Sequence, residues 1–230
     1  MKVAICTPTW IRPHPAYLDA LERSVPVLDA AGIEHCTGFE IGSPYISAAR
    51  ATILRKAMKH GADVFVFIDH DVSWQPEDLL ALIRAEGDVV GGTYRFKMDE
   101  CRYMGFMYTG PNGKPMVRED GAIEAYRLPA GFLKVTRKGI ERFMAGYPHL
   151  IINSDDEGFD SPDLFNHGAH KGTWYGEDYA FCRNWLEIGE EIWLLPNLSL
   201  NHHSEDKVYE GNLHEALLRA PGGAKAEAMA

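Results

Sequence analysis

Cysteine is scarce in this chain and poorly spaced for metal. Cys6, Cys36, Cys101 and Cys182 include no CxxC pair, which excludes zinc-finger spacing. They are also too sparse for the disulfide framework of a small secreted domain. Free thiols in a reducing compartment follow. No apolar run approaches the roughly 20 residues that a membrane-spanning helix requires. The segment MKVAICTPTW carries one lysine and a short apolar run, so it reads as a first strand and not as a signal peptide. The expectation is a cytoplasmic protein. No glycine-rich, basic loop follows that first run, which weakens a nucleotidyltransferase reading, and there is no internal repeat.

Positive charge is also in short supply. Twenty-three Lys and Arg face 33 Asp and Glu, for a formal net charge of -10. That balance weakly disfavours nonspecific binding to polyanions without excluding a local basic groove. Arg95, Lys97, Arg102, Lys134, Arg137 and Lys138 are candidates for such a groove, with ordinary solvated surface as the alternative. Apolar residues, by contrast, are plentiful. They make up 46% of the 230 residues, enough for one sizeable buried core.

The order of patterns along the chain predicts an α/β fold. Lys2 to Cys6 reads as a buried strand, Pro15 to Ala31 as a helix ended by Gly32, and Ile33 to Ile41 as a second strand. A helix from Ser47 to about His60 precedes ADVFVFI at 62–68, an almost wholly apolar strand of the kind covered on both faces. A helix opening at Pro76 and a strand over Asp88–Gly91 complete a β-α-β-α-β-α-β alternation, which argues for a mostly parallel sheet with helices on both faces. Short runs within 101–135, split by the turn Pro111-Asn112-Gly113, predict antiparallel strands at the sheet edge. Arg137–Ala145 and Glu177–Ile188 read as helices, 151–173 as a long loop, and 221–230 as a disordered tail.

Three clusters could carry chemistry. Asp69-His70-Asp71 follows the most apolar strand, and residues two apart in extended backbone face the same side. In parallel α/β sheets ligands bind beyond that strand end. Two adjacent carboxylates repel unless a cation lies between them, and hard oxygen donors favour Mg²⁺ or Mn²⁺. The plainer alternative is that Asp71 or Ser73 caps the helix near Pro76. Glu177-Asp178 opens a later helix after Trp174-Tyr175. Acids there complement the helix dipole, but a carboxylate at a cleft wall can also serve as general base, and the two aromatics could stack on a sugar. Of His202-His203, one imidazole could complete the metal site, although such pairs are more often surface or core. Two carboxylates with a histidine suit Mn²⁺ better than Mg²⁺.

In sequence order these pieces resemble the GT-A glycosyltransferases, particularly compact family 2-like enzymes of bacteria and phages. The resemblance covers roughly residues 2–203. It is carried by VAICTPTW, by FEIGSPYISAARATILRKAMKHGADVFVFIDHD, by GGTYRFK and LPAGFLKVTRKGIERF, and by GEDYAFCRNWLEIGEEIWLLPNLSLNHH. It implies a Rossmann-like GT-A domain over 1–220, with nucleotide-sugar binding roughly in 1–97 and an antiparallel acceptor-binding part roughly in 98–205.

The implied chemistry is transfer from a nucleotide diphosphate sugar, UDP favoured, to an acceptor hydroxyl with inversion. Asp69, Asp71 and His202 would hold Mn²⁺ or Mg²⁺, and Asp69 and His70 would also face the donor. Asp178 would be the base, supported by Glu177. Thr7, Pro8 and Thr9 would hold the nucleoside, with Glu40 and Arg50 nearby. Trp174 and Tyr175 would meet the acceptor, whether a glycan, a protein or a hydroxymethylated base in phage DNA. The usual acidic pair after the second strand is reduced to Glu40-Ile41, and Ser204 stands where glycine often follows the histidine motif.

Two rivals use the same residues differently. A phosphohydrolase of the haloacid dehalogenase type would use Asp69 as nucleophile, although its motif normally follows the first strand. A non-catalytic sugar-nucleotide-binding module would keep Asp69 and Asp71 and have no need of Asp178.

Overall fold

A computed structural model of the chain describes residues 1–153 and 159–219. The tail expected at 221–230 lies outside the described residues. Strand β1 (Lys2–Thr9) leads to helix α1 (Pro15–Ala30), β2 (Glu34–Ile41), α2 (Ile46–Lys59) and β3 (Val64–Ile68). Then follow β4 (Val72–Ser73), α3 (Pro76–Arg84), β5 (Val89–Gly91), β6 (Phe106–Met107), β7 (Ile123–Arg127) and β8 (Phe132–Thr136). Helix α4 (Arg137–Gly146), the hairpins β9 (Ile151–Asn153)–β10 (Asp160–Pro162) and β11 (Gly168–His170)–β12 (Thr173–Tyr175), and α5 (Glu177–Glu187) come next. The described chain closes with β13 (Ile192–Leu194), β14 (Asn201–His203), β15 (Val208–Tyr209) and α6 (Leu213–Arg219).

The main sheet has eight strands in the order β2-β1-β3-β8-β5-β13-β7-β6. Strands β2, β1 and β3 are parallel neighbours, as are β5 and β13. Strand β8 runs antiparallel between β3 and β5. The sequence reading put 132–135 at the sheet edge, and here it is wrong. Four of the five β8 residues are buried, the signature of a strand covered on both faces. Lys134 disguised that pattern. Its side chain is buried, its ammonium donates to the Ala85 carbonyl, and burial lowers its pKa to about 8. The loop expected over 151–173 is corrected as well, since it contains the two short hairpins.

The sheet separates two cores. Along β3, Phe65 and Phe67 face one core, shared with Leu54 and Met58 of α2 and with Phe181 and Trp185 of α5. Val64, Val66 and Ile68 face the other, shared with Tyr17 and Leu28 of α1 and with Leu79 and Leu82 of α3. Each such side chain, fully buried, contributes roughly 1.5–3 kcal/mol. Helix α1 starts where Pro15 presets the first turn and the His14 ring accepts from the Ala16 N–H at 3.1 Å. It stops at Gly32, whose φ of 67° suits glycine. Among the described residues no helix is long and apolar enough to cross a membrane.

Candidate functional site

The site is assembled around a buried arginine. Arg50, on α2, is only 2% exposed. One arm of its guanidinium donates to Asp69 Oδ1 at 2.7 Å and the other to Glu177 Oε1 at 2.8 Å. It therefore ties the end of β3 to the start of α5, which lie far apart in sequence. Burial opposes the charge, but Asp69 and Glu177 outweigh it, and the pKa of the guanidinium is raised further. The guanidinium also lies over the Phe165 ring at 5.2 Å.

Asp69 is fixed on every side. Its backbone N–H donates to the Gly131 carbonyl at 3.1 Å, and its Oδ2 accepts from the Tyr94 hydroxyl at 3.1 Å. Gly131 is where β8 begins its run beside β3. A Cβ at position 131 would collide with Tyr94 Oη and the Asp69 carboxylate. Gly131→Ala is therefore expected to displace Asp69 and to cost about 1–3 kcal/mol of stability through overpacking. Urea denaturation would measure it, with far-UV circular dichroism of the folded protein unchanged.

Asp178 is half-buried one residue beyond Glu177. Burial, then repulsion from Glu177 and Asp69, pushes its carboxyl up to about 6, against the pull of Arg50 and of the Tyr179 N–H that it accepts at 2.8 Å. A carboxylate of that basicity suits proton abstraction near neutral pH.

Asp71 and His202 meet on the other side of Asp69. Their Oδ2 and Nε2 atoms are 3.6 Å apart. His202 Nδ1 lies 2.8 Å from the Arg95 carbonyl and donates to it, so Nε2 faces Asp71, donating to the carboxylate when it carries a proton and offering a lone pair when it does not. Burial opposes ionisation of Asp71, but bonds from His202 and Lys97 prevail and hold its carboxyl well below the usual range. Lys97 Nζ touches Asp71 Oδ2 at 2.5 Å. His203 turns elsewhere, bonding Ser73 at 2.8 Å and stacking on His14 at 4.5 Å.

Other expected residues fare unevenly. Thr7 is buried with its hydroxyl 2.5 Å from that of Tyr17, so its side chain does not face a ligand. Pro8 is buried, whereas Thr9 Oγ1 has no hydrogen-bond partner. Glu40 pairs with Lys56 at 2.8 Å. His70 is half-buried, its carbonyl accepting from the His14 N–H at 2.8 Å. Trp174 is 70% exposed, while Tyr175 lies under Arg127 and Arg183. Neither Asp71 nor Ser73 caps α3, because Gln75 occupies the cap and exchanges backbone bonds with Asp78. Four of the six basic candidates are engaged within the fold. Arg95 caps carbonyls of 98–100, Arg137 those of Ala62 and Met58, Lys134 is internal, and Lys97 serves Asp71.

The sequence reading missed Tyr94, Gly131 and Arg127. It also passed over Trp10, which directly follows Thr9 and is 59% exposed. The run Thr7-Pro8-Thr9-Trp10 at a strand end was the available signal.

No protein-family model matches the chain, and no curated protein does. Solved structures do. A197 from STIV is 15% identical, with a TM-score of 0.55, over 92% of this chain and 95% of that one. A Drosophila β-1,4-galactosyltransferase 7, solved with manganese, UDP-Gal and xylobiose, is 12% identical at a TM-score of 0.45, over 94% of this chain and 73% of that one. TarS from S. aureus is 14% identical at 0.44, over 91% and 60%. The mixed α/β architecture expected from the sequence, with most strands of the main sheet pointing one way, is the one observed, and A197 from STIV is similar to it in fold.

Proposed function

We propose that this protein is a glycosyltransferase that moves a sugar from a nucleotide diphosphate donor, UDP favoured, to an acceptor hydroxyl with inversion. The observation that carries the reading is Asp178, a carboxyl with its pKa raised to about 6, held beside the Arg50–Asp69–Glu177 network at the carboxyl end of β3. Asp178 removes the acceptor proton as that oxygen attacks the anomeric carbon. The bond from that carbon to the diphosphate breaks, and the nucleoside diphosphate leaves with the electron pair. Residues 1–97 hold the donor and 98–205 the acceptor, with Thr9, Trp10 and Glu40 on the nucleoside side. The carbonyl of His70, bonded to His14, orders the loop between the two aspartates.

A divalent ion, Mn²⁺ before Mg²⁺, fits part of the expected set. Asp71 and, once it carries no proton, the Nε2 of His202 are suitable donors. Asp69 is less so, because Arg50 and Tyr94 take its two oxygens. Among the described residues no group of three or more side-chain ligands is gathered. Diphosphate oxygens would have to complete the coordination, and Lys97 would have to leave Asp71. When bound, the ion offsets charge on the departing diphosphate.

A thermal-shift screen of UDP and UDP-sugars with and without Mn²⁺ tests this reading. The expected result is stabilisation by UDP that Mn²⁺ strengthens, and absence of any nucleotide response sinks the proposal. In His202→Ala the Mn²⁺-dependent gain in UDP affinity should fall about tenfold or more, with the metal-free affinity retained. The phosphohydrolase alternative is disfavoured, because donation from Arg50 and Tyr94 draws electron density from both Asp69 oxygens and makes the carboxylate a poorer nucleophile. The binding-module alternative gives no reason for the raised pKa of Asp178.

A further inference from the structure

Along one face of α5, from Tyr179 to Glu187, lies a cleft of about 300 Å³, lined chiefly by Tyr108, Tyr126, Tyr175, Tyr179, Arg127 and Arg183. Arg127 is enclosed by rings, with Phe106 at 5.4 Å, Tyr175 at 5.6 Å and Tyr179 at 5.3 Å from its guanidinium carbon. Among the described residues its side chain has no ion pair and no hydrogen bond. Arg183 lies over Tyr175 at 4.5 Å and, among the described residues, bonds only the neutral Asn184 amide, at 2.8 Å. The one acid in the lining, Glu187, is engaged by the Tyr147 hydroxyl at 3.1 Å and by His170 at 3.3 Å.

Two guanidiniums without a carboxylate partner are conspicuous in a chain with ten more acids than bases. Ring contacts orient a guanidinium but leave its N–H fork unsatisfied, and that fork matches a carboxylate or a phosphate. The tyrosines offer flat apolar faces and hydroxyls, as a sugar ring requires. The volume sits at the lower limit of ligand pockets, about 300–1,000 Å³, so it admits one or two rings. Asp178 is not in the lining, but it lies within electrostatic reach of the cleft, since burial first and the Asp178 charge next raise the pKa of Tyr179.

We infer that this cleft is the acceptor subsite and that its occupant is a saccharide bearing an anionic group, a carboxylate or a phosphate. The inference rests on the glycosyltransferase reading for the word acceptor, and on the cleft alone for the ligand chemistry. The -10 net charge opposes a long polyanion, so a nucleic-acid acceptor is the disfavoured outcome.

Ligand-observed NMR titration without donor tests it, using glucuronate, glucose 6-phosphate and glucose. At least one anionic sugar should bind about tenfold or more tightly than glucose, and which one identifies the group. Arg127→Gln and Arg183→Gln should abolish that preference, and Arg127→Lys should restore part of it. The thermal shift produced by UDP should persist in all three variants, which separates loss of the cleft from unfolding. Equal binding of glucose, indifference to both glutamine variants, or displacement of the sugars by a single-stranded oligonucleotide at lower concentration would overturn the inference. Selective binding of an anionic sugar by a protein that ignores UDP would sink the transferase reading while leaving the cleft's ligand class intact.

Discussion

On the proposed transferase reading, Asp178→Asn is expected to lower sugar transfer by about three orders of magnitude, the middle of the range for removing a general base. Nucleotide diphosphate affinity should stay within about twofold, because only a transition-state interaction is lost. The pH profile provides an independent check. The carboxylate is the active form, and its pKa is raised from 3.8 to about 6 by burial first and by Glu177 next. In the native protein kcat/KM for transfer should therefore fall about tenfold per pH unit below that value, and the asparagine variant should lack this limb. The groups facing Asp178 are Glu177, Arg50 and Asp69, and Arg50 remains charged throughout this range. Stability separates a chemical defect from a folding one. A carboxyl whose folded pKa is raised contributes stability that is complete below the unfolded value and lost as pH rises through the folded one. At pH 7 that contribution is gone. Asparagine resembles the protonated form, so the variant should melt no lower than the native protein. A variant that keeps full transfer, or that loses activity together with its melting temperature, removes Asp178 from the base role.

The sequence exposed those parts of this site that depend on local order. VFVFI is five buried residues on one strand, so the place of Asp69 just past its end follows from the pattern, but Asp69-His70-Asp71 are not the extended run expected: they form a turn closed by the Val72 N–H donating to the Asp69 carbonyl at 3.1 Å. Glu177 and Asp178 begin a helix where the sequence puts them. The network that joins them was hidden, because it depends on strand order. Strand β8 inserts between β3 and β5, and this brings Gly131 against Asp69. Nothing local to FLKVT distinguishes a central strand from an edge one once lysine interrupts it. Arg50 was singled out only through resemblance, since an arginine on an amphipathic helix ordinarily faces water. The choice between His202 and His203 was open for a similar reason. Both lie on β14 with alternating faces, and pairing with β4 decides which one turns toward Asp71 and which toward Ser73.

Arg50→Met should be the most destabilising single change in the site, by about 3–5 kcal/mol, the usual cost of breaking a buried ion pair from one side. The methionine fills similar space, so the loss is electrostatic. Asp69 and Glu177 would face each other, with Asp178 beside them, and no cation between. Their side chains are 23% and 24% exposed, so solvent moderates the repulsion and favours the lower end of that range. Urea denaturation of the purified variant measures it directly. Arg50→Lys should recover less than half of the loss, because one ammonium cannot reach both carboxylates as the two guanidinium arms do. The double variant Arg50→Met with Glu177→Gln should be more stable than Arg50→Met alone, since it removes one of the stranded charges, and this coupling marks a bridge more clearly than either single loss. If Arg50→Met unfolds at the native urea concentration, the guanidinium is not what holds β3 and α5 together. The site would then have to owe its geometry to the surrounding aromatic packing, beginning with Phe165 beneath the guanidinium.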